Sequence, residues 1–276
     1  MDKRPLLWID ILGFGKDIEN QSLEVTINEY SNLINRYLGR YSGVEFDIIS
    51  DSLLFWAKSP KSKWQELSNV FQAAHLYSGS SFFYDSQAHS LIRGAIVIDE
   101  FVIDHRNHEH KFNVTIGNER VEEWIDRMSY HRLLGRAIVK AHKWESIQDW
   151  CLISLDPSYN QLVSQPDVFP AYLLDKNYVI KYPIPTKKGS FDGYVVNPFM
   201  KEYCVGYQKL LPGINDSGRL PIVGNLVEVG KVYEKSLDFH LKKSEDESVT
   251  LKLQNTKEFY RYVVENELYI IGNESP

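Results

Sequence analysis

Three observations predict an α+β fold, an antiparallel sheet with helices. Short apolar runs of strand length recur from Lys3 onward. Stretches with apolar residues at helical spacing separate them. The two kinds alternate as β-α-β-β-α-β before further helix and strand. The 276 residues suit one large domain, or one domain with an accessory piece, and allow a sizeable core. A hydrophobic share of 43% with 25% charged residues excludes global disorder and fibrous repeats. No apolar run approaches the length of a bilayer span.

Lys3 to Leu12 reads as a strand, and its nearly continuous apolar character suits a central strand covered on both faces. Gly13 and Gly15 end it. Ser22 to Leu38 reads as a helix, with Val25, Tyr30, Leu33, Ile34 and Tyr37 near helical spacing. Val44 to Ala57 reads as two strands with a tight turn at Ser50–Asp51. A helix from Lys61 to Tyr77 carries Trp64, Leu67, Val70, Phe71 and Ala74 on one stripe. Ser90 to Ile98 is a third strand region. Asp99 to Tyr130 is polar and histidine-rich and shows no period. Leu133 to Gln148 is a helix. Trp150 to Leu155, Tyr178 to Tyr182 and Tyr194 to Asn197 read as later strands, with a hairpin over Pro183 to Gly193. The pattern turns helical from Ile222, breaks at the charged Lys242 to Ser248, and ends in a helix over Thr256 to Glu265. A ferredoxin-like sheet with its helices on one face is the economical assembly. Residues 1–200 would form the main domain and 201–276 a helical extension packed on the core or on a dimer.

The 31 Lys and Arg against 37 Asp and Glu give a formal charge of −6, which argues against tracking nucleic acid through its phosphates. The two cysteines, Cys151 and Cys204, cannot form a disulfide framework and point to a reducing cytosol. The run Pro5 to Phe14 is short, contains Asp10 and lacks a small-residue cleavage site, so it does not read as a signal peptide. His105, His108 and His110 have no partners on a second element, so a solvated loop is favoured over zinc.

Two acids lie inside apolar strands, Asp10 in LLWIDILGFG and Asp51 in FDIISDSLLF. A carboxylate in such a place must be paired, protonated or bound to a cation. Each alone also fits a cap or turn aspartate. Together they suit a pair of ligands for hard divalent ions, which take carboxylates plus substrate phosphates. Gly13-Phe14-Gly15 can present backbone N–H groups to a phosphate ahead of a helix, although a turn glycine pair reads the same way. Arg93, in LIRGAI, is a cation in a third apolar strand. It suits phosphate, or an ion pair with Asp10 or Asp51.

The segments WIDILGF, ISDS, IRGAI and GRAIVKAHKWES stand in order and at near-equal spacing. In this they resemble the class III nucleotide cyclases, whose pattern is F-x-D-I-x-G-F, G-D-x on a hairpin, R-x-G-I, then G-x-x-V-N-x-A-x-R-x-E opening a helix. The resemblance covers roughly residues 1–200 and implies the βαββαβ cyclase core in a head-to-tail homodimer with sites between subunits. It implies that Asp10, Asp51 and the Ile11 carbonyl hold two Mg²⁺ or Mn²⁺ ions, and that Arg93 binds phosphate. Lys187 or Lys188, in TKKGSFDGY, resembles a further phosphate-binding lysine of the family.

The departures are specific. The family's ribose-orienting asparagine falls on Val139 and its transition-state arginine on Lys143. Lysine keeps the charge but loses the planar fork. The base-reading positions fall on Asp47 and Arg132, which do not reproduce the adenine pattern; a surface salt bridge is the plain alternative for that pair. With valine in place of asparagine, the chain looks most like the pyrimidine cyclases of bacterial Pycsar antiphage systems. Those convert UTP or CTP to the 3′,5′-cyclic monophosphate, which switches on a separate effector. A purine cyclase and a non-catalytic nucleotide-binding module are the other readings, the latter suggested by Val139 and Lys143.

Overall fold

The structure is a computed structural model that describes residues 3–12, 43–49, 51–80, 91–116, 119–165, 167–199 and 232–270, with the backbone alone at 80, 104–133 and 232. The expected helix at 22–38, the Gly13-Phe14-Gly15 loop, Cys204 and the stretch 222–231 lie outside the described residues.

In chain order the elements are β1 (Arg4–Ile11), β2 (Val44–Ile49), β3 (Ser52–Ala57), α1 (Lys63–Ser80), β4 (Ile92–Asp99), β5 (Phe101–Ile116), β6 (Glu119–Gly135), α2 (Arg136–Ile147), β7 (Ile153–Leu155), α3 (Tyr159–Leu162), α4 (Tyr172–Asp175), β8 (Val179–Thr186), β9 (Gly189–Val196), α5 (Val232–Lys243) and α6 (Glu247–Glu265). The fold is α+β. Seven strands form one sheet in the order β2-β3-β1-β4-β7-β9-β8, and β5-β6 form a separate ribbon. The sheet is mixed rather than wholly antiparallel, because β4 and β7 run parallel. A parallel pair needs a long crossover, and the β5-β6 ribbon followed by α2 supplies it.

Helices cover both faces, not one. Leu6 and Trp8 of β1 face the same way as Leu54, Trp56, Ala95 and Val97, and they share a core with Ala141 and Trp144 of α2, Leu237 of α5 and Phe259 of α6. Leu7, Ile9 and Ile11 join Leu53, Phe55 and Ile96 in a second core under α1, which contributes Leu67, Val70, Phe71 and Ala74. A period of two with both faces apolar is why β1 reads as an unbroken hydrophobic run. Trp64, expected on the buried stripe of α1, is 45% exposed. Among the described residues no helix is long and apolar enough to cross a membrane.

Several boundaries depart from the sequence reading, each for a local reason. The segment Asp99 to Tyr130, histidines included, is mostly strand and not loop. Both strands of an isolated ribbon can be polar, so no alternation marks them. Residues 133–135 close β6, and α2 begins at Arg136. Gly135 caps that helix with φ 152°; a Cβ there would lie 2.4 Å from the Glu100 carbonyl oxygen. β8 and β9 extend to a turn at Lys187–Lys188, taking Pro183 and Pro185 into β8. That strand is at the sheet edge, where a missing N–H on the outward side leaves the ladder intact. α6 starts at Glu247 and not Thr256, because the Asp246 carboxylate accepts from the Ser248 and Val249 N–H groups at 2.8 and 3.3 Å.

Candidate functional site

β2 ends at Ile49 and β3 begins at Ser52, with Asp51 in a turn that abuts the end of β1; Ser50 of the expected Ser50–Asp51 turn lies outside the described residues. Asp10 sits opposite Ser52 on β3 and opposite Arg93 on β4. Directly opposed residues of an antiparallel pair project to the same face, so Asp10 and Arg93 meet. An Arg93 terminal nitrogen lies 3.3 Å from the Asp10 carboxylate and also pairs with Glu145 of α2. The other terminal nitrogen donates to the Gln148 carbonyl at 3.1 Å. Gln148 is itself fixed: its amide donates to the Gly94 and Trp144 carbonyls, and its side-chain oxygen accepts from Trp150 at 2.7 Å. The Arg93 Nε is buried with no hydrogen-bond partner among the described residues.

One guanidinium thus faces two carboxylates. Burial pushes the Asp10 carboxyl above its ordinary range; Arg93 pulls it down, and the charge of Asp51 pushes it up again. Burial likewise pushes Glu145 up to about 7, against the pull of Arg93. The Lys252 charge of α6 reaches Asp10, and the Lys187 charge reaches Glu145. A carboxylate pair whose burial opposes ionisation is a place where added positive charge is favourable.

The residues present fit a divalent ion in part. The Ile11 N–H donates to the Asp51 carbonyl at 3.2 Å, which sets the turn against β1 and brings Asp51, Asp10 and the Ile11 carbonyl to one corner of the sheet. Among the described residues no group of three or more His, Cys, Asp or Glu is placed to hold a metal. Two carboxylates and a carbonyl match the partial donor set of an ion whose remaining ligands are water and substrate oxygens.

The other expected site residues are distributed differently. Lys187 and Lys188 form the β8-β9 turn; the Lys187 N–H donates to the Ile147 carbonyl at 2.9 Å, tying the turn to the end of α2. Only Lys187 reaches the charged cluster. Val139 and Lys143 lie on the exposed side of α2, and Val139 is 55% exposed. Within one chain Lys143 therefore does not join Asp10. Asp47 stands near the sheet edge, its carboxylate accepting from the Ile48 N–H at 2.8 Å. The Arg132 side chain is outside the described residues, so the proposed Asp47–Arg132 pair has no described contact. The sequence reading passed over Glu145 and Gln148. Glu145 occupies the glutamate of the motif ending GRAIVKAHKWES, which was the available signal. Cys151 is buried, its thiol pushed up to about 12, and is inert.

No family model matches the chain, and no curated protein does. Among solved structures it is similar to the guanylate cyclase domain of RhGC from Catenaria anguillulae in complex with GTP, at 15% identity, covering 71% of this chain and 96% of that one with a TM-score of 0.44. It is similar to the dimeric guanylyl cyclase domain of a RhoGC fusion protein from the aquatic fungus Blastocladiella emersonii, at 14% identity with the same coverage and a TM-score of 0.46. A third is the catalytic core of a rhodopsin-guanylyl cyclase with converted specificity, in complex with ATPαS, at 15% identity, the same coverage and a TM-score of 0.46.

Proposed function

We propose that this chain is a nucleotidyl cyclase, closing a nucleoside triphosphate to its 3′,5′-cyclic monophosphate with release of pyrophosphate. One observation carries the reading: Asp10 of β1 and Asp51 of the turn before β3 stand at one sheet corner beside the cation Arg93. Asp10, Asp51 and the Ile11 carbonyl would hold Mg²⁺ or Mn²⁺. Bound there, the ions supply charge neutralisation of the triphosphate and activation of the ribose 3′-hydroxyl. The chain's own residues position and neutralise. Arg93 opposes the burial that raises Asp10 and orients its carboxylate, Glu145 and Gln148 hold the guanidinium in place, and Lys187 adds positive charge at the rim.

Lys143 and Val139 face away from Asp10 in the same chain, so a contribution from Lys143 requires a second copy. That accords with a homodimer whose sites lie between subunits. The base is the finer question. The motif resemblance favours a pyrimidine and a product that acts through a separate effector in antiphage defence. A purine triphosphate is the other reading.

The test is incubation with ATP, GTP, CTP or UTP and Mn²⁺, with products identified by mass. A cyclic nucleotide and pyrophosphate are expected from at least one substrate, and Asp51→Ala abolishes both. A cyclic pyrimidine supports the narrower reading and a cyclic purine the other. Retained nucleotide binding without turnover makes the chain a binding module and overturns the cyclase reading.

A further inference from the structure

The face of the sheet opposite Asp10 carries a cavity of about 790 Å³ between α1, α4 and the ends of β8 and β9. That is within the usual size range of small-molecule sites. Its wall is aromatic: Trp64 lies 5.8 Å from Tyr172 between ring centroids, and Tyr172 lies 6.2 Å from Tyr178. Trp64 is a large ring, and its exposure is unusual for an apolar helix position beside a core.

The polar groups of the cavity set the chemistry of its occupant. His75 approaches the Asn197 carbonyl at 3.2 Å through Nδ1. A carbonyl only accepts, so Nδ1 carries the proton. Burial pushes the imidazole down to about 4, so the ring is neutral near pH 7. Its Nε2 is then an acceptor, with no hydrogen-bond partner among the described residues. Lys176 is the single charged side chain of the lining, and no carboxylate is among the described lining residues. An acceptor in the wall selects a donor on the ligand. A lysine without a facing acid selects an anion over a cation, although an aromatic wall alone would accommodate either.

We propose that this cavity is a second binding site, for a planar heteroaromatic anion that packs against the aromatic wall of Trp64 and Tyr172, donates a ring N–H to His75 and sets its negative group beside Lys176. The site is separate from the Asp10 corner and does not depend on the reading of that corner.

Calorimetric titration of the full chain with indole-3-acetate tests it. This probe has the ring, the N–H and the carboxylate. Saturable binding is expected. 1-Methylindole-3-acetate should bind about three- to tenfold more weakly, the worth of one hydrogen bond. Tryptamine, the cationic analogue, should show no saturable binding. Lys176→Gln should weaken the probe about two- to fivefold and Trp64→Ala about fivefold or more. Both positions are exposed, so folding is retained in each variant, and a thermal melt checks it. No saturable binding of indole-3-acetate, equal affinity for its methylated or cationic analogues, or affinity unchanged in both variants overturns the proposal.

Discussion

The charged corner and the aromatic cavity, on opposite faces of the sheet, handle burial of polar groups in opposite ways. On the α2 side, Arg93, Asp10 and Glu145 are interior or nearly so, and each charge is answered by another. On the α1 side, the aromatic cavity is answered by neutrality: His75 stays uncharged and bonds a carbonyl. Pairing keeps charges available at a position where they can bind other charges, at a large desolvation cost. Neutralisation costs less and leaves only hydrogen-bonding capacity. The difference marks the α2 side as the place for ionic chemistry and the α1 side as a place for a flat, weakly polar occupant.

The largest effect is expected on the charged side. Arg93→Met strands the buried Glu145 and the half-buried Asp10 and should lower stability by about 3–5 kcal/mol, read as a shift in the urea midpoint. Glu145→Gln leaves Arg93 with Asp10 and should cost less. If the two substitutions prove equally harmful, the description of Arg93 as the shared counter-ion is wrong.

The pH dependence separates the faces by sign. Glu145 has its folded pKa raised to about 7. Its contribution to stability is present at acid pH and is lost as pH rises toward 7. His75 has its folded pKa lowered to about 4. Its contribution is present above the ordinary histidine range and is lost as pH falls toward 4. The two slopes oppose one another in one window, each worth at most ~3 kcal/mol. In the shared window between about 4.5 and 6.5, Glu145→Gln should therefore leave stability rising with pH, and His75→Phe should leave it falling. Parallel curves for the two variants would remove the contrast.

The smallest effect is expected at the surface. Val139→Ser should change the stability of the isolated chain by no more than about 0.5 kcal/mol. A larger loss that depends on protein concentration would assign the exposed side of α2 to an interface between copies.

The parts of the molecule that face a core were legible, and those that do not were opaque. β1, β3 and β4 read as strands because apolar residues occupy both of their faces, and Ser50–Asp51 punctuates one such run. Asp10, Asp51 and Arg93 stood out as candidates because a charge inside an apolar strand has few explanations. Glu145 was missed because an acid on an amphipathic helix ordinarily faces water; its burial depends on Arg93, far away in the sequence. The β5-β6 ribbon gave no period because neither of its faces had to be apolar. The edge position of β8 made Pro183 and Pro185 harmless there, and no local pattern reveals which strand ends a sheet.

α6 supplies Leu253, Phe259 and Val263 to the same core as Leu6 and Trp8, while the Ile270 N–H donates to the Phe199 carbonyl. During translation, β1 emerges long before α6 exists. α2 covers part of that face of the sheet earlier, but the side of Trp150 that meets Phe259 must wait uncovered on the ribosome until α6 is made. Cellular yield of this protein should accordingly respond to chaperone supply.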